Sequence, residues 1–341
     1  MGIAVGDAFG SGIEGQDKEW IGKNVDFTKY VSVRTGPLTQ GRKLGDFSDT
    51  CDTLAVFRTI KGSTPSPSGY KLGDYSDDTC DTLATFRTIK QLPITAENLL
   101  AEIKKEYDTS KKERGGIPRD GYGSISWYFE GTKTLQEVQD YQRNKTYPGN
   151  APVMRSIPFG ILLQDDQINS ACIINADVTH PHPKARVASI LIARAAQHLL
   201  VLKLPQSNLI SSCRKFVLGM DPETDSYLEK VDQLPNSLDS FENYCFLVGP
   251  QPIKSFMTGE MIIGLNSDAM RTAGTALHLL KFCKTPFEAL RRSILVGGDV
   301  DTLASIVVGI VCGMGNEVDL PNWMFEQLEH VNELTEFADK F

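Results

Sequence analysis

The sequence has no C-x-x-C pair, no block of basic residues and no apolar run long enough to cross a bilayer. Its seven cysteines are odd in number and scattered, which argues against a disulfide framework or a thiolate zinc site. The longest apolar run, residues 303–315, is shorter than the roughly 20 residues that a membrane helix needs. The first residues carry acids rather than the basic stretch of a signal peptide. We therefore expect a cytoplasmic protein with no membrane segment.

The negative charge of the chain limits its partners. A formal net charge of −8 over 341 residues predicts no nucleic-acid partner whose binding depends on phosphate neutralisation. The 41% hydrophobic content is enough for a substantial core. Apolar residues recur mostly at three- and four-residue spacing, which predicts an all-α fold. We expect residues 1–341 to form a single compact domain and a monomer.

Signals for helix boundaries occur along the whole chain. Thr95 precedes an amphipathic stretch as an N-cap would, and Thr285, followed by Pro286 and Glu288, resembles a capping box. Further helices are predicted at residues 183–202, 208–218, 267–282, 300–314 and 323–337. Near the start, Gly2, Gly6 and Gly10 recur every fourth residue. On a helix this spacing gives a bare stripe for close packing, with Asp7 beside it and Glu14 just past the helix end.

One segment is written twice, at residues 41–61 and 69–90. Two copies are too few for a solenoid, in which longer arrays of repeats bury one another. The second copy reads Ser76-Asp77-Asp78 where the first reads Ser48-Asp49, so only the second has adjacent carboxylates. The copies therefore differ in their capacity to bind a cation.

Two acidic clusters each precede a predicted helix. Asp77 and Asp78 form one, and Asp299 and Asp301 of GGDVDT form the other. Acids at a helix start can be solvated caps. The helix after Asp301 is apolar nearly all round, however, and buried acids are costly when no cation compensates them. No Lys or Arg follows Asp299 until Lys340. The clusters therefore predict two Mg²⁺ or Mn²⁺ ions about 3.5–4 Å apart.

Five motifs follow one another along residues 2–325. They are GIAVGDAFGSGIEG, YSDDT, GNAPVMRSIPFG, THPHPKA and FEALRRSILVGGDVDTLASIVVGIVCG. Their sequences and order resemble the ADP-ribosylglycohydrolases, a family that includes ADP-ribosyl-acceptor hydrolases and dinitrogenase-reductase-activating glycohydrolase. The resemblance implies an all-α fold with two Mg²⁺ or Mn²⁺ ions in a central cleft. It also implies hydrolysis of the bond between ADP-ribose and a protein side chain or related acceptor, so the partner would be an ADP-ribosylated protein or a small ADP-ribose conjugate.

The resemblance implies roles for particular residues. The implied metal ligands are Ser76, Asp77, Asp78, Asp299, Asp301 and Thr302. Glu14, Asp77 and Asp78 are the candidates for steering the water that attacks the anomeric carbon, and the sequence does not choose among them. The implied substrate-binding residues are Gly121, Tyr122, Gly123, Ser124, Gly149, Asn150 and His180. For His180, however, a structural role is the interpretation that we favour.

Two questions stay open at the level of sequence. The distance along the chain from Glu14 favours the first copy, whereas the carboxylate count favours Asp77 and Asp78. We expect the second copy to enter the metal site, because an inserted surface loop costs little closure entropy. The other question is activity, which the extra segment could impair by obstructing the cleft. The alternatives are a non-catalytic relative, either a crystallin-like structural protein or an ADP-ribose-binding module, and a metal hydrolase of another ribosylated molecule.

Overall fold

The computed structural model describes residues 1–31, 73–91, 93–119, 121–254, 259–315 and 318–340. The helices in these ranges are α1 Gly2–Ser11, α2 Lys18–Asn24, α3 Asp77–Lys90, α4 Ala96–Glu113, α5 Ile125–Phe129, α6 Leu135–Arg143, α7 Ala151–Met154, α8 Ile157–Leu162, α9 Asp165–Thr179, α10 Pro183–Ala196, α11 Leu209–Arg214, α12 Pro222–Gln233, α13 Phe241–Val248, α14 Ala269–Phe282, α15 Pro286–Ile294, α16 Val300–Gly313, α17 Asn322–Glu326 and α18 Val331–Ala338. A π-helical turn covers Gln197–Val201, and a 3₁₀ turn covers Gln206–Asn208.

Within the described ranges, β-strands occur only as one short antiparallel pair, apart from isolated bridges. Strand β1, Ile253–Lys254, pairs antiparallel with strand β2, Met261–Ile262. The all-α prediction is therefore confirmed. None of the helices in the described part of the chain is both long and apolar enough to span a membrane.

Two predicted helix starts have the expected caps. The Thr95 hydroxyl accepts a hydrogen bond from the Asn98 N–H, and Thr285 accepts one from the Glu288 N–H. The Glu288 carboxylate accepts a hydrogen bond from the Lys284 N–H at 2.8 Å. The reciprocal bond of this capping box thus lies one residue earlier than the usual pattern predicts.

Helix α1 packs lengthwise against the buried helix α16, and its glycines form the contact. A Cβ added at Gly6 would lie 2.4 Å from the Ala304 carbonyl oxygen, and one at Gly10 would lie 2.3 Å from the Asp301 Cα. The glycine stripe is therefore a packing surface, as its spacing predicts. This close approach brings the start of the chain beside the acids at the N-terminus of α16.

We expect Gly6→Ala to lower the free energy of unfolding by about 1–3 kcal/mol, because its methyl group would overlap the α16 backbone. Gly22→Ala in α2 is the matched control, since nothing lies within 4 Å of its added Cβ. That control should be neutral or gain up to about 1 kcal/mol from better helix propensity. Chemical denaturation measures both variants. Equal effects at the two positions would contradict close packing of α1 on α16.

The predicted helix at residues 323–337 is instead two helices, α17 and α18. His330 has a left-handed φ of 52° and separates them. The break lets the Glu329 N–H donate to the Gly73 carbonyl oxygen at 3.0 Å. Gly73 belongs to the second copy of the repeated segment, and the described part of that copy, residues 73–90, forms α3 and the turn that precedes it. The first copy, residues 41–61, lies outside the described residues.

Candidate metal centre

Three distant parts of the chain bring carboxylates together. The carboxylate oxygens of Asp7, Asp78 and Asp301 lie within 4.8 Å of one another, and those of Glu14, Asp299 and Asp301 form a second group of the same size. The two groups share Asp301. Glu14 is half-buried, and the other four acids are buried. The arrangement is therefore one continuous acidic cluster at the junction of α1, α3 and α16.

The Gly297-Gly298 turn positions Asp299. Both glycines have left-handed φ values, 79° and 86°, and a Cβ at Gly298 would lie 2.1 Å from the Leu265 carbonyl oxygen. Only glycine fits at that position. The Gly298 N–H donates to the Gln16 carbonyl at 2.8 Å, and the Asp299 N–H donates to the Leu265 carbonyl at 2.8 Å. The turn thus fixes Asp299 against the segment that follows Glu14.

Hydroxyl groups hold the carboxylate of Asp78 at the start of α3. Its Oδ2 accepts hydrogen bonds from the Ser76 hydroxyl at 3.1 Å and the Thr302 hydroxyl at 3.3 Å. Its Oδ1 accepts one from the Ser305 hydroxyl at 3.2 Å. Ser76 is also the N-cap of α3, because its Oγ accepts from the Asp78 N–H at 3.3 Å. The predicted ligands Ser76, Asp78 and Thr302 are therefore brought together.

Asp77 belongs to neither carboxylate group. Its side chain is buried against Gly121, where an added Cβ would lie 1.7 Å from the Asp77 Oδ1. Gly121 also has a left-handed φ of 99°, so the loop needs glycine for two reasons. Asp77 thus connects the start of α3 to the predicted substrate loop at Gly121–Ser124. Its role as a metal ligand stays a prediction.

Asp7 is a member of the cluster that the sequence analysis did not assign to the site. Its Oδ1 accepts from the Ser76 N–H at 2.8 Å. Its Oδ2 accepts from the Thr79 N–H at 3.0 Å and the Thr79 hydroxyl at 2.6 Å. A carboxylate from α1 therefore caps the N-terminus of α3, where it interacts favourably with the helix dipole. The only signal in the sequence is its place beside the glycine stripe.

The cluster is electrostatically unfavourable without a cation. Burial, followed by the charges of Asp7 and Asp299, raises the pKa of Asp78 well above its usual value. Burial and four neighbouring acids, with Glu14 first among them, do the same to the pKa of Asp301. Among the residues that the structure describes, no Lys or Arg forms an ion pair with the four buried acids. Like charges in a buried site favour either protonation or a bound cation.

The stability of the cation-free protein should fall as the pH rises from about 5 to about 8. The pKa values of Asp78 and Asp301 are higher in the folded state than in the unfolded chain, so the folded state binds more protons in this window. Bound Mg²⁺ compensates the charges, so the increase in Tm that it causes should be larger near pH 8. Thermal unfolding in EDTA and in Mg²⁺ at both pH values measures this. An Mg²⁺ effect no larger near pH 8 than near pH 5 would contradict the interpretation.

The predicted Gly149-Asn150 turn lies directly beside the acids. The Asn150 amide donates to the Asp299 Oδ2 at 2.8 Å and to the Thr272 hydroxyl at 3.0 Å. The Gly149 N–H donates to the side-chain oxygen of Gln142 at 3.1 Å. Asn150 therefore connects the acidic cluster to α14, and Gly149 connects the same turn to α6.

His180 also contacts the Gly149-Asn150 turn, and its imidazole is neutral. Burial lowers the pKa of His180 well below its usual value. Its Nδ1 lies 2.7 Å from the Thr179 hydroxyl, whose oxygen already accepts from Arg155 at 3.0 Å. The Nε2 lies 2.8 Å from the position of a Cβ at Gly149, so His180 and Gly149 are in contact.

The predicted substrate loop at Gly121–Ser124 borders Asp77. The Tyr122 ring is buried and packs edge-to-face on Tyr107 at a centroid distance of 5.0 Å. Gly123 has a φ of 50°, and its carbonyl oxygen accepts the hydroxyl of Ser126 at 2.6 Å. Tyr122 therefore anchors the loop in the core, and the backbone and Ser124 are the groups that it can present to a ligand. Substrate binding by these residues stays a prediction.

The donor set fits small, hard divalent cations. Carboxylate and hydroxyl oxygens are the ligands that Mg²⁺ and Mn²⁺ prefer. The acid groups contain no cysteine or histidine, so they do not have the donor set of a soft-metal site. Buried acids without basic partners are the feature that a bound cation would explain.

Comparison with known proteins agrees with the all-α fold. The profile of the ADP-ribosylglycohydrolase family matches residues 1–341, and the chain belongs to this family of glycohydrolases. A solved structure described as an ADP-ribosylglycohydrolase-related protein complex is similar, with a TM-score of 0.61 and 18% sequence identity. The similarity covers 99% of this chain and 93% of that chain, and it shows the fold alone. No curated protein matches the chain.

Proposed function

We propose that the protein is a binuclear Mg²⁺- or Mn²⁺-dependent hydrolase that cleaves the N- or O-glycosidic bond between ADP-ribose and a protein side chain or related acceptor. The observation that carries the proposal is the position of Asp301, which is buried and belongs to two acid groups at once. One carboxylate common to two groups is the arrangement expected of a ligand that bridges two ions. Membership of a glycohydrolase family supports hydrolysis as the reaction.

The residues proposed to hold the ions are Ser76, Asp77, Asp78, Asp299, Asp301 and Thr302. Hydroxyl bonds to both oxygens of Asp78 fix its orientation, and the Gly297-Gly298 turn fixes Asp299. When bound, the ions would polarise a water and compensate the negative charge of the site. The protein would contribute the oxygen donors of these six residues.

Glu14 is the acid best placed to orient the attacking water. It is half-buried, whereas Asp77 and Asp78 are buried. Its carboxylate lies within 4.8 Å of Asp299 and Asp301. A general base must reach a water from the open side of the site, and Glu14 satisfies this requirement better than Asp77 or Asp78. An acidic surround also favours the oxocarbenium-like transition state of glycosidic cleavage.

Peptides that carry ADP-ribose on arginine or on serine test the proposal. We expect Mg²⁺ or Mn²⁺ to support the release of free ADP-ribose from at least one of them. EDTA should stop the release, and added Mg²⁺ should restore it. Glu14→Gln should slow the reaction by about 10²–10⁴-fold if it orients the water.

Other outcomes would contradict the proposal in different ways. Binding of ADP-ribose without release from either peptide would indicate a binding module. Binding of neither ADP-ribose nor Mg²⁺ would indicate a structural protein. Release that is unaffected by EDTA would contradict the metal centre while leaving a hydrolase.

A further inference from the structure

The side chain of Gln142 connects two loops that contain predicted substrate-binding residues. Gln142 lies in the last turn of α6 and is buried. Its Nε2 donates to the Ser124 hydroxyl oxygen at 2.9 Å, and its Oε1 accepts the Gly149 N–H at 3.1 Å. One amide group therefore joins the loop before α5 to the turn before α7.

The direction of these hydrogen bonds follows from the chemistry of the groups. A backbone N–H can only donate, so the Gln142 atom that faces Gly149 is the oxygen. The amide nitrogen then faces Ser124, whose oxygen must accept. The hydroxyl proton of Ser124 points elsewhere, and no described residue accepts it. The Gly149 N–H is thus already hydrogen-bonded to Gln142, whereas the Ser124 hydroxyl can still donate to a ligand.

The connection continues to the acidic cluster. Asn150 follows Gly149 and donates to the Asp299 Oδ2 at 2.8 Å. The turn is also fixed from behind, because the Ala269 N–H donates to the Pro148 carbonyl at 3.0 Å. A continuous path of hydrogen bonds and one peptide unit therefore runs from Ser124 through Gln142 to the acids.

We propose that Gln142 is a positioning residue that sets the Ser124 hydroxyl at a fixed distance from the metal-binding acids. The inference rests on the proposed function, in which the diphosphate of the substrate joins adenosine to the ribose that carries the scissile bond. The Ser124 hydroxyl is a donor suited to the anionic diphosphate, whereas the Gly149 N–H is already engaged. The distance between the Ser124 hydroxyl and the acidic cluster determines how well one substrate can contact both.

Loss of the Gln142 amide should therefore weaken substrate binding more than it slows the bound reaction. We expect Gln142→Met to raise the Kd for ADP-ribose and the KM for the modified peptide by about 10- to 100-fold. The kcat should change by less than about threefold, because the acids and their ligands are untouched. The affinity for Mg²⁺ should stay as in the wild type.

Gln139→Met is the matched control on the same helix. The Gln139 Nε2 also makes two hydrogen bonds, to the carbonyls of Asp177 at 3.0 Å and Val178 at 3.1 Å. A merely structural role for Gln142 predicts that the two variants behave alike. Positioning predicts that only Gln142→Met changes the Kd and KM.

Gln142→Glu is a second test that preserves shape. A carboxylate still accepts the Gly149 N–H but cannot donate to Ser124, so Ser124 must donate to it and loses its free proton. We expect ADP-ribose binding at least as weak as in Gln142→Met, with Tm close to that of the wild type. A Gln142→Glu protein that binds ADP-ribose as tightly as the wild type would overturn the inference.

Calorimetric titration with ADP-ribose, together with steady-state kinetics, separates the two levels of the argument. Wild-type protein that neither binds ADP-ribose nor releases it refutes the proposed function, and the inference with it. Active wild type with an unchanged Kd and KM in Gln142→Met refutes the inference alone. A raised KM in Gln142→Met and an unchanged one in Gln139→Met supports both.

Discussion

Asp301→Asn should abolish divalent-dependent release of ADP-ribose, with a loss of kcat/KM of about 10³-fold or more. Asp301 is the carboxylate that both acid groups share, so the amide removes a negative ligand from each. Initial rates at saturating Mg²⁺ measure the effect. Asp166→Asn is the control, because Asp166 is exposed and loses the same charge. That control should stay within about twofold of the wild type.

The same substitution should make the cation-free protein more stable. Burial and the charges of Glu14, Asp299, Asp78 and Asp7 raise the pKa of Asp301, so its ionised form is repelled in the folded state. An amide has no charge, and we expect a gain of about 1 kcal/mol in EDTA at neutral pH. Chemical denaturation tests this. Full activity, or a loss of stability in EDTA, would contradict the assignment of Asp301.

Asp7→Asn should have the opposite effect on stability, although Asp7 lies in the same cluster. Its carboxylate accepts three hydrogen bonds from Ser76 and Thr79, and an amide nitrogen would face at least one of these donors. We expect a loss of about 1–3 kcal/mol from the unsatisfied groups. Because these bonds orient the Asp78 turn, Mg²⁺ affinity should also fall by about 10- to 100-fold. Denaturation in EDTA and calorimetric titration with Mg²⁺ measure the two effects.

The comparison between Asp7 and Asp301 distinguishes an anchor from a ligand. Stabilisation by Asp7→Asn in EDTA would mean that its charge repels more than its hydrogen bonds stabilise. Asp7 would then belong with the ligands, and the capping role would be wrong. Unchanged Mg²⁺ affinity in a destabilised Asp7→Asn protein would show that the start of α3 keeps its place without this bond.

Local signals in the sequence predicted much of the fold. The caps at Thr95 and Thr285 and the spacing of Gly2, Gly6 and Gly10 act over a few residues, so a single sequence displays them. The break at His330 was not predictable in this way. It depends on a hydrogen bond between Glu329 and Gly73, which are far apart in sequence.

The acidic clusters could be recognised in the sequence because Asp77 and Asp78 are adjacent, and because Asp299 and Asp301 precede an apolar helix. The meeting of the two clusters in one site was an expectation from the resemblance, and the structure brings Asp78, Asp299 and Glu14 close to Asp301. The role of Asp7 could not be read, since it depends on which helix start lies against α1. The link through Gln142 could not be predicted either, because it depends on tertiary contacts with Ser124 and Gly149. Nothing in the local sequence distinguishes Gln142 from Gln139 on the same helix.

The duplicated segment leaves one prediction to experiment. Asp78 of the second copy lies against Thr302 and Ser305, as a residue of the site would. The first copy lies outside the described residues, so the choice between copies stays a prediction. Deleting residues 41–68 leaves one complete copy, and activity retained after this deletion would show that the second copy is sufficient.

Anomalous scattering from crystals grown in saturating Mn²⁺ tests the metal centre most directly. We expect two peaks about 3.5–4 Å apart, one on each side of the Asp301 carboxylate. One should lie towards Asp78, and the other towards Asp299 and Glu14. A single peak, or none at Asp301, would contradict a binuclear centre.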